Sequence, residues 1–328
     1  MKVLYIGTLI THEQYKKGIV PSHWLYGAVE MEKDGHEVVW SEESNQLIND
    51  WRLVRQHKPD YVFIHNLNMR QHILLSLLRL IGIVRVPVYG FLHHTPKGGK
   101  TTFLYKLFLK GITHVFFLSE KTMTETISQG YATLKKCSVP GWGPDKDFFD
   151  KVPKSQGKWF VSTGKENRDF DVLIEAFKQT GAPLKIMTAK SHAGNSYEDL
   201  AERCKDIPNI EVIITENTGN VYPQMLKAMA NARALVCPLR QDKLNYCVGL
   251  STIADAIGLA KPVIITGNPY HDARYADCMH QVVSVDDWVE AIRSLSDEGN
   301  DGLLDRVNMQ ECYQNMKKQM MLWKINMH

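Results

Sequence analysis

Acidic residues are missing from a long stretch of this chain. Between Asp60 and Glu120 there is no aspartate or glutamate, while Arg70, Arg79, Arg85, Lys97, Lys100, Lys106 and Lys110 all fall in that span. Lysines scattered among acids make an ordinary solvated face, whereas cations without acids set up a one-sided field that fits an anionic partner. Paired cysteine spacing is also lacking. Cys137, Cys204, Cys237, Cys247, Cys278 and Cys312 are scattered, and several fall in expected strands or helices. That pattern excludes a disulfide framework, makes a zinc site improbable and fits the reduced core thiols of a cytosolic protein. The longest apolar run, Ile73 to Val84, is interrupted by Arg79 and is too short to span a bilayer. The opening Met1 to Gly7 is too short for a secretory signal and is expected to be a first strand. No GxGxxG follows it, which disfavours a nicotinamide dehydrogenase, and no nucleophile elbow or Ser-His-Asp order stands out.

What is present is an ordinary soluble composition, 44% hydrophobic and 23% charged, over 328 residues, which fits two domains of Rossmann size. The first half alternates. A strand over 2–7 leads through a loop to a helix from about Pro21 to Lys33, then to a strand over 37–40, with further strands at 60–65, 86–92 and 114–119. Such strand–helix–strand units imply a parallel sheet with right-handed crossovers. The polar, lysine-rich segment 144–158 is the best linker candidate. After it the alternation restarts with strands at 159–163, 184–189, 210–215 and 232–239, and helices at 170–179, 197–204 and 222–231. A final helix is expected over 303–323. Three segments follow: 1–150, 151–302 and a C-terminal helical segment, 303–328, expected to pack back on the first domain.

Residues 245–266, NYCVGLSTIADAIGLAKPVIIT, carry the most information. They predict an apolar helix entered through Gly249 and Ser251, with capping hydroxyls on Ser251 and Thr252, ended at Gly258 and followed at once by a buried strand. A helix start above the carboxyl end of a strand is an anion site. The stretch resembles the pattern of retaining GT-B glycosyltransferases of the family-four type, "E-x-FGL-xxx-EAMA-x-G-KPVI". Gly249 and Leu250 match its glycine–leucine pair, Asp255 falls on the glutamate that binds the donor ribose, and Lys261 to Ile264 reproduce KPVI. The family's earlier glutamate, eight positions before the second, falls on Cys247. "GHEV" at 35–38 and VPGWGPDKDFF at 139–149 also resemble the family, more weakly.

The resemblance implies a GT-B architecture, two doubly wound Rossmann-like domains facing across a cleft. It implies an acceptor domain over 1–150 and a nucleotide-sugar domain over 151–302. The turn Gly164-Lys165-Glu166-Asn167-Arg168 matches by charge the family's two diphosphate-touching cations, with lysine and arginine exchanged and the spacer shortened. A solvated turn between strand and helix would read the same, and coincidence with the helix pattern downstream favours the functional reading. Asp255 would accept the ribose hydroxyls, its alternative being a cap or a salt bridge to Lys261 or Arg240. Gly249, Leu250 and Ser251 would offer backbone N–H groups to the diphosphate or sugar. Gly18, Gly164, Thr188 and Cys247 complete the donor set. His93 and His94 close a strand of the first domain, near where the family places a histidine beside the transferred sugar; with Lys165 and Arg168 they are the catalytic candidates. Neither histidine has a second ligand at metal spacing, and no metal is expected.

The expected activity is retaining, metal-independent transfer of a hexose or related sugar from a nucleotide-diphosphate donor, foremost a UDP-sugar, without a further cofactor. The acceptor would be lipid-linked or saccharide, in surface-polysaccharide biosynthesis; nucleic acid is not an expected partner. A cytoplasmic protein, peripheral on the inner face of the membrane, is the expected location. On 97–110, Phe103, Leu104, Leu107 and Phe108 form one stripe with Lys106 and Lys110 off it, which fits an anionic membrane surface and fits core packing equally. Cys247 in place of the glutamate supports an alternative, a non-catalytic partner subunit of a glycosyltransferase complex, whereas Lys165, Arg168 and Asp255 speak for an enzyme. A nucleotide-sugar epimerase would need carboxylates near the sugar, and none stands out.

Overall fold

Short, nearly unbroken apolar runs bounded by turn residues form strands buried on both faces, as parallel sheets require. The computed structural model describes residues 1–192, 194–215, 221–296 and 302–325, with the backbone alone for 323–325. The chain divides into two units. The first takes in residues 1–18, 22–143 and the segment from Asn308 onward, and the second residues 19–21 and 144–307.

The first unit runs β1 (Lys2–Gly7), α1 (Leu9–Lys16), α2 (Ala28–Lys33), β2 (Glu37–Glu42), α3 (Asn49–His57), β3 (Tyr61–Ile64), α4 (Met69–Leu80), β4 (Val88–Leu92), α5 (Thr102–Gly111), β5 (His114–Phe117), α6 (Glu120–Ser128) and β6 (Cys137–Ser138). Its sheet is parallel throughout, in the order β2-β1-β3-β4-β5-β6. The order reverses at β1 and β3, and the carboxyl edge at such a reversal is where open α/β sheets bind ligands.

The second unit runs α7 (Lys146–Phe149), β7 (Phe160–Thr163), α8 (Phe170–Thr180), β8 (Leu184–Ala189), β9 (Ser191–His192), β10 (Asn195–Ser196), α9 (Leu200–Cys204), β11 (Ile210–Thr215), α10 (Val221–Ala230), β12 (Ala234–Cys237), α11 (Leu250–Gly258), β13 (Val263–Thr266), β14 (Met279–Val282), α12 (Val285–Ser294) and α13 (Leu303–Arg306). The main sheet, β11-β8-β7-β12-β13-β14, is again parallel, and β9 and β10 form a separate antiparallel pair. The order reverses between β7 and β12. Gly258 lets α11 sit on Phe149, whose ring a Cβ there would meet at 2.4 Å. Lys261, 4% exposed, donates from Nζ to the Ser155 carbonyl at 2.7 Å and to Gln156 Oε1 at 3.2 Å.

The last helix, α14 (Met309–Ile325), belongs to the first unit. Tyr313 donates to Asp34 at 2.8 Å, and Lys317 Nζ lies 2.7 Å from the same carboxylate. Residues 326–328 of the expected C-terminal segment lie outside the described residues.

Three expectations about elements need correction. The helix over 21–33 is broken into a 3-10 turn, Ser22–Leu25, and α2, because Tyr26 and Gly27 take left-handed φ values of 49° and 89° that no α-helix accommodates. The loop after β1 holds α1. The single helix over 303–323 is two, since Val307 is extended and Asn308 restarts the helix by accepting from the Glu311 amide at 2.9 Å.

Candidate functional site

The β7–β12 reversal of the second unit brings two turns together. Asp169 N–H donates to the Pro238 carbonyl at 3.1 Å and Arg240 N–H to the Asn167 carbonyl at 2.9 Å. Tyr197 ties the first turn down, its hydroxyl donating to the Lys165 carbonyl at 3.1 Å and accepting from the Arg168 amide at 3.3 Å. Gly164, at φ 94°, leaves room for the Arg168 guanidinium, which a Cβ would meet at 2.6 Å.

Arg168 is 6% exposed. Its Nε and Nη2 donate to the Thr163 carbonyl at 3.3 and 3.1 Å, its Nη1 to the Glu166 carbonyl at 3.0 Å, and its Nη2 also to Thr252 Oγ1 at 3.3 Å. All four bonds go to neutral oxygens. Among the described residues no carboxylate pairs with this guanidinium. A buried cation with only dipoles around it is costly, and an anion relieves the cost. Lys165 is half-buried on the same turn.

Thr252 places that cation against the start of α11. Gly249 occupies the N-cap at φ 92°, where a Cβ would crowd Ile265, Leu239 and Cys237 at 3.1 to 3.3 Å. The expected hydroxyl caps are absent. Thr252 is engaged by Arg168 and Ser251 is exposed. Leu250 does not offer its N–H either, because that group donates to the Cys247 carbonyl at 3.1 Å. The Ser251 amide has no hydrogen-bond partner among the described residues, so the helix start keeps a donor for an anion.

Asp255 lies inside α11, 7% exposed, with Oδ1 accepting from the Tyr222 hydroxyl at 2.7 Å. Burial pushes its carboxyl up to about 7, and Tyr222 pulls the other way. Neither Lys261 nor Arg240 pairs with it: Lys261 holds residues 155 and 156, and Arg240 lies 3.5 Å from Asp242. Cys247 is buried beside Gly249, its thiol raised to about 12 by burial. Thr188 is fully buried in β8 with its Oγ1 unpartnered among the described residues.

In the first unit, the carboxyl edge of the sheet gathers histidines. His93, after β4, stacks on Tyr26 at 5.3 Å between ring centroids, and its buried Nε2 has no partner among the described residues. Burial lowers it to about 3, so the ring is neutral. His94 is exposed. His65, after β3, lies with Nδ1 3.2 Å from Glu43 Oε1 and 6.5 Å from the His93 ring. Neither His65 nor Glu43 was legible as a site residue, because they meet across two strands with no motif linking them. Gly18 ends α1 at φ 69°, its N–H donating to the Tyr15 carbonyl at 2.8 Å. Its conformation is accounted for by that helix end, which the sequence reading lacked. Lys165, Arg168, Gly249, Ser251 and Asp255 are thus gathered in the second unit, and His93 stands in the first.

On α5 the expected stripe splits. Phe108 is fully buried, whereas Phe103 is 68% and Leu104 42% exposed. Arg79 leaves the surface field as well, donating to the Val86 carbonyl at 2.7 Å and to the Gly111 carbonyl. Among the described residues no helix is long and apolar enough to cross a membrane, and no group of three or more His, Cys, Asp or Glu is placed to hold a metal ion.

No protein-family model matches the chain. Solved structures do. A UDP-GlcNAc 2-epimerase from Neisseria meningitidis, bound to UDP-GlcNAc, is similar with a TM-score of 0.60 at 12% identity, over 98% of this chain and 100% of that one. AviGT4, a glycosyltransferase involved in avilamycin A biosynthesis, gives 0.61 at 12% identity, over 97% and 96%. The accessory secretory protein 1, 2 and 3 structure from Streptococcus pneumoniae gives 0.51 at 11% identity, over 84% of this chain and 55% of that one. The shared fold is GT-B, with two parallel six-stranded α/β sheets.

Proposed function

We propose that the chain is a retaining, metal-independent glycosyltransferase of the family-four type. It moves a sugar from a nucleotide-diphosphate donor, foremost a UDP-sugar, to a lipid-linked or saccharide acceptor in surface-polysaccharide biosynthesis. It works in the cytoplasm, peripherally on the inner face of the membrane. The observation that carries this reading is Arg168, a buried guanidinium without a carboxylate, set by Thr252 against the start of α11 at the sheet reversal. As the bond from the anomeric carbon to the phosphate oxygen breaks, negative charge grows on the leaving diphosphate. Arg168, Lys165 and the free Ser251 amide oppose it with charge that needs no reorganisation. Asp255 holds the ribose by its second oxygen, which has no hydrogen bond among the described residues. The acceptor attacks from the same face, its proton passing to the departing phosphate oxygen; the first unit binds the acceptor, and His93 meets it through its buried Nε2.

A thermal-shift screen with UDP- and GDP-sugars tests the donor. A saturating donor stabilises by mass action. Loss of that shift in Arg168→Ala is expected, and an unchanged shift would remove Arg168 from the site.

A second reading has its own support. Cys247 stands where the family has its sugar-binding glutamate, and a buried thiol is no carboxylate. In that reading the chain is a non-catalytic partner subunit of a glycosyltransferase complex. Donor hydrolysis by the chain alone favours the enzyme; donor binding without turnover favours the subunit.

A further inference from the structure

The turn that follows β13 carries two polar side chains that the reading above does not use. His271 is 9% exposed and its Nε2 lies 2.8 Å from the Val248 carbonyl. A carbonyl only accepts, so the proton sits on Nε2 and Nδ1 presents a bare lone pair. That Nδ1 is buried and has no hydrogen-bond partner among the described residues. Burial also lowers the imidazole to about 4, which keeps it neutral at physiological pH. A buried acceptor without a donor is destabilising, and such groups are met by a ligand or a water.

Asp272 follows, 8% exposed, with Arg274 Nε 3.6 Å from its Oδ2. The turn is fixed to the anion site by Asn268, whose Nδ2 donates to the Tyr246 carbonyl at 2.9 Å and the Val248 carbonyl at 3.2 Å. His271 and Asp272 are therefore held against the segment that carries Cys247 and leads into Gly249. Burial chiefly raises the Cys247 thiol, and the negative charges of Asp272 and Glu166, carried on two different turns, add to that rise. The position that lost its glutamate is not poor in acceptors.

We propose that His271 and Asp272 form the sugar pocket of the donor site, Nδ1 of His271 accepting one sugar hydroxyl and the Asp272 carboxylate another, in place of the glutamate missing at Cys247. The ligand is the hexose of a nucleotide-diphosphate sugar. The inference rests on the donor reading of Arg168 and adds what holds the sugar rather than the nucleotide.

Calorimetric titration of the whole chain with UDP, GDP, UDP-glucose, UDP-GlcNAc and GDP-mannose tests it. In the wild type at least one nucleotide sugar should bind more tightly than its bare nucleotide. Asp272→Asn should leave the bare nucleotide's affinity unchanged and weaken the nucleotide sugar about tenfold, the effect of one charge-assisted hydrogen bond. Equal weakening of both, or of neither, overturns the pocket, as does a wild type that binds nucleotide and nucleotide sugar equally; that last comparison needs no variant to fold. Binding of nucleotide with no gain from the sugar leaves the donor reading standing. A wild type that binds no nucleotide or nucleotide sugar at all overturns the donor reading and the pocket with it.

Discussion

The two units close the carboxyl edges of similar parallel sheets with different chemistry. The second unit places a buried arginine and an open helix start there, with His271, also held neutral by burial, beside them; the first places His65 and His93, both held neutral by burial. His65 is lowered to about 4 and His93 to about 3. A permanent positive charge in a low-dielectric setting selects an anion, and neutral imidazoles select hydroxyls. The fold is therefore common to both halves, while the chemistry each half offers lies in which side chains stand at the sheet edges.

The largest test of that contrast is acidification. His23, His65, His93 and His114 are each lowered by burial to between about 3 and 4. A histidine whose folded pKa lies below its unfolded value binds more protons unfolded, so stability falls as pH drops below about 6.5, by on the order of 1 kcal/mol per group down to pH 5. The first unit should lose several kcal/mol on this basis. Hydrogen exchange from pH 7 to 5, corrected for intrinsic rates, should show protection lost in β1 and β3 to β5 before β7, β12 and β13. Simultaneous loss in both units would remove the contrast.

Next in size is the arginine. Arg168→Ala should cost about 2 to 4 kcal/mol in transition-state stabilisation and weaken nucleotide binding, with Lys165→Ala acting in the same sense. His93→Ala should lower transfer while leaving nucleotide affinity as it is. If Arg168 and Lys165 variants both keep wild-type activity, the diphosphate assignment is wrong.

Asp255 offers a smaller effect with a distinctive sign. Its carboxyl is raised from 3.8 to about 7, so the folded state holds a proton the unfolded chain has released, and stability falls as pH rises across that interval. Asp255→Asn should flatten this slope and stabilise the second unit at pH 8 by on the order of 2 kcal/mol. The same change should weaken nucleotide binding, more for a ribose donor than for its deoxyribose analogue. Equal loss for both sugars would make the residue structural.

Why the two halves differed in legibility follows from the same contrast. Strands in both announced themselves as apolar runs between turn residues. The donor candidates Gly249, Ser251 and Asp255 share one helix and Arg168 lies on one short turn, so local spacing carried them. Glu43 and His65, like Val248 and His271, come from separate turns that only the sheet brings close, and no spacing records that. Other errors were local. Tyr26 sits in a left-handed conformation that an aromatic side chain rarely adopts, so nothing in its identity announced the break before α2. On α5 the hydrophobic period alone does not say which side of the stripe meets the core, and Phe108 proved to be the buried end.

That split on α5 sets the smallest prediction. Phe103 and Leu104 stand exposed near the helix start, and Lys100, Lys106 and Lys110 are exposed around them. An apolar pair flanked by cations should bind anionic lipid through both terms, because the lysines bring the surface near and the side chains enter the interface. Binding to phosphatidylglycerol vesicles should therefore weaken as salt rises. Changing Phe103 and Leu104 together to serine should weaken it by about 1 kcal/mol without altering the melting temperature, since little apolar area is lost from the core. Phe108→Ser, by contrast, should destabilise the first unit through the cavity and the buried hydroxyl it creates. If vesicle binding ignores salt, or survives the double change intact, α5 is an ordinary surface helix and the acid-free span acts elsewhere.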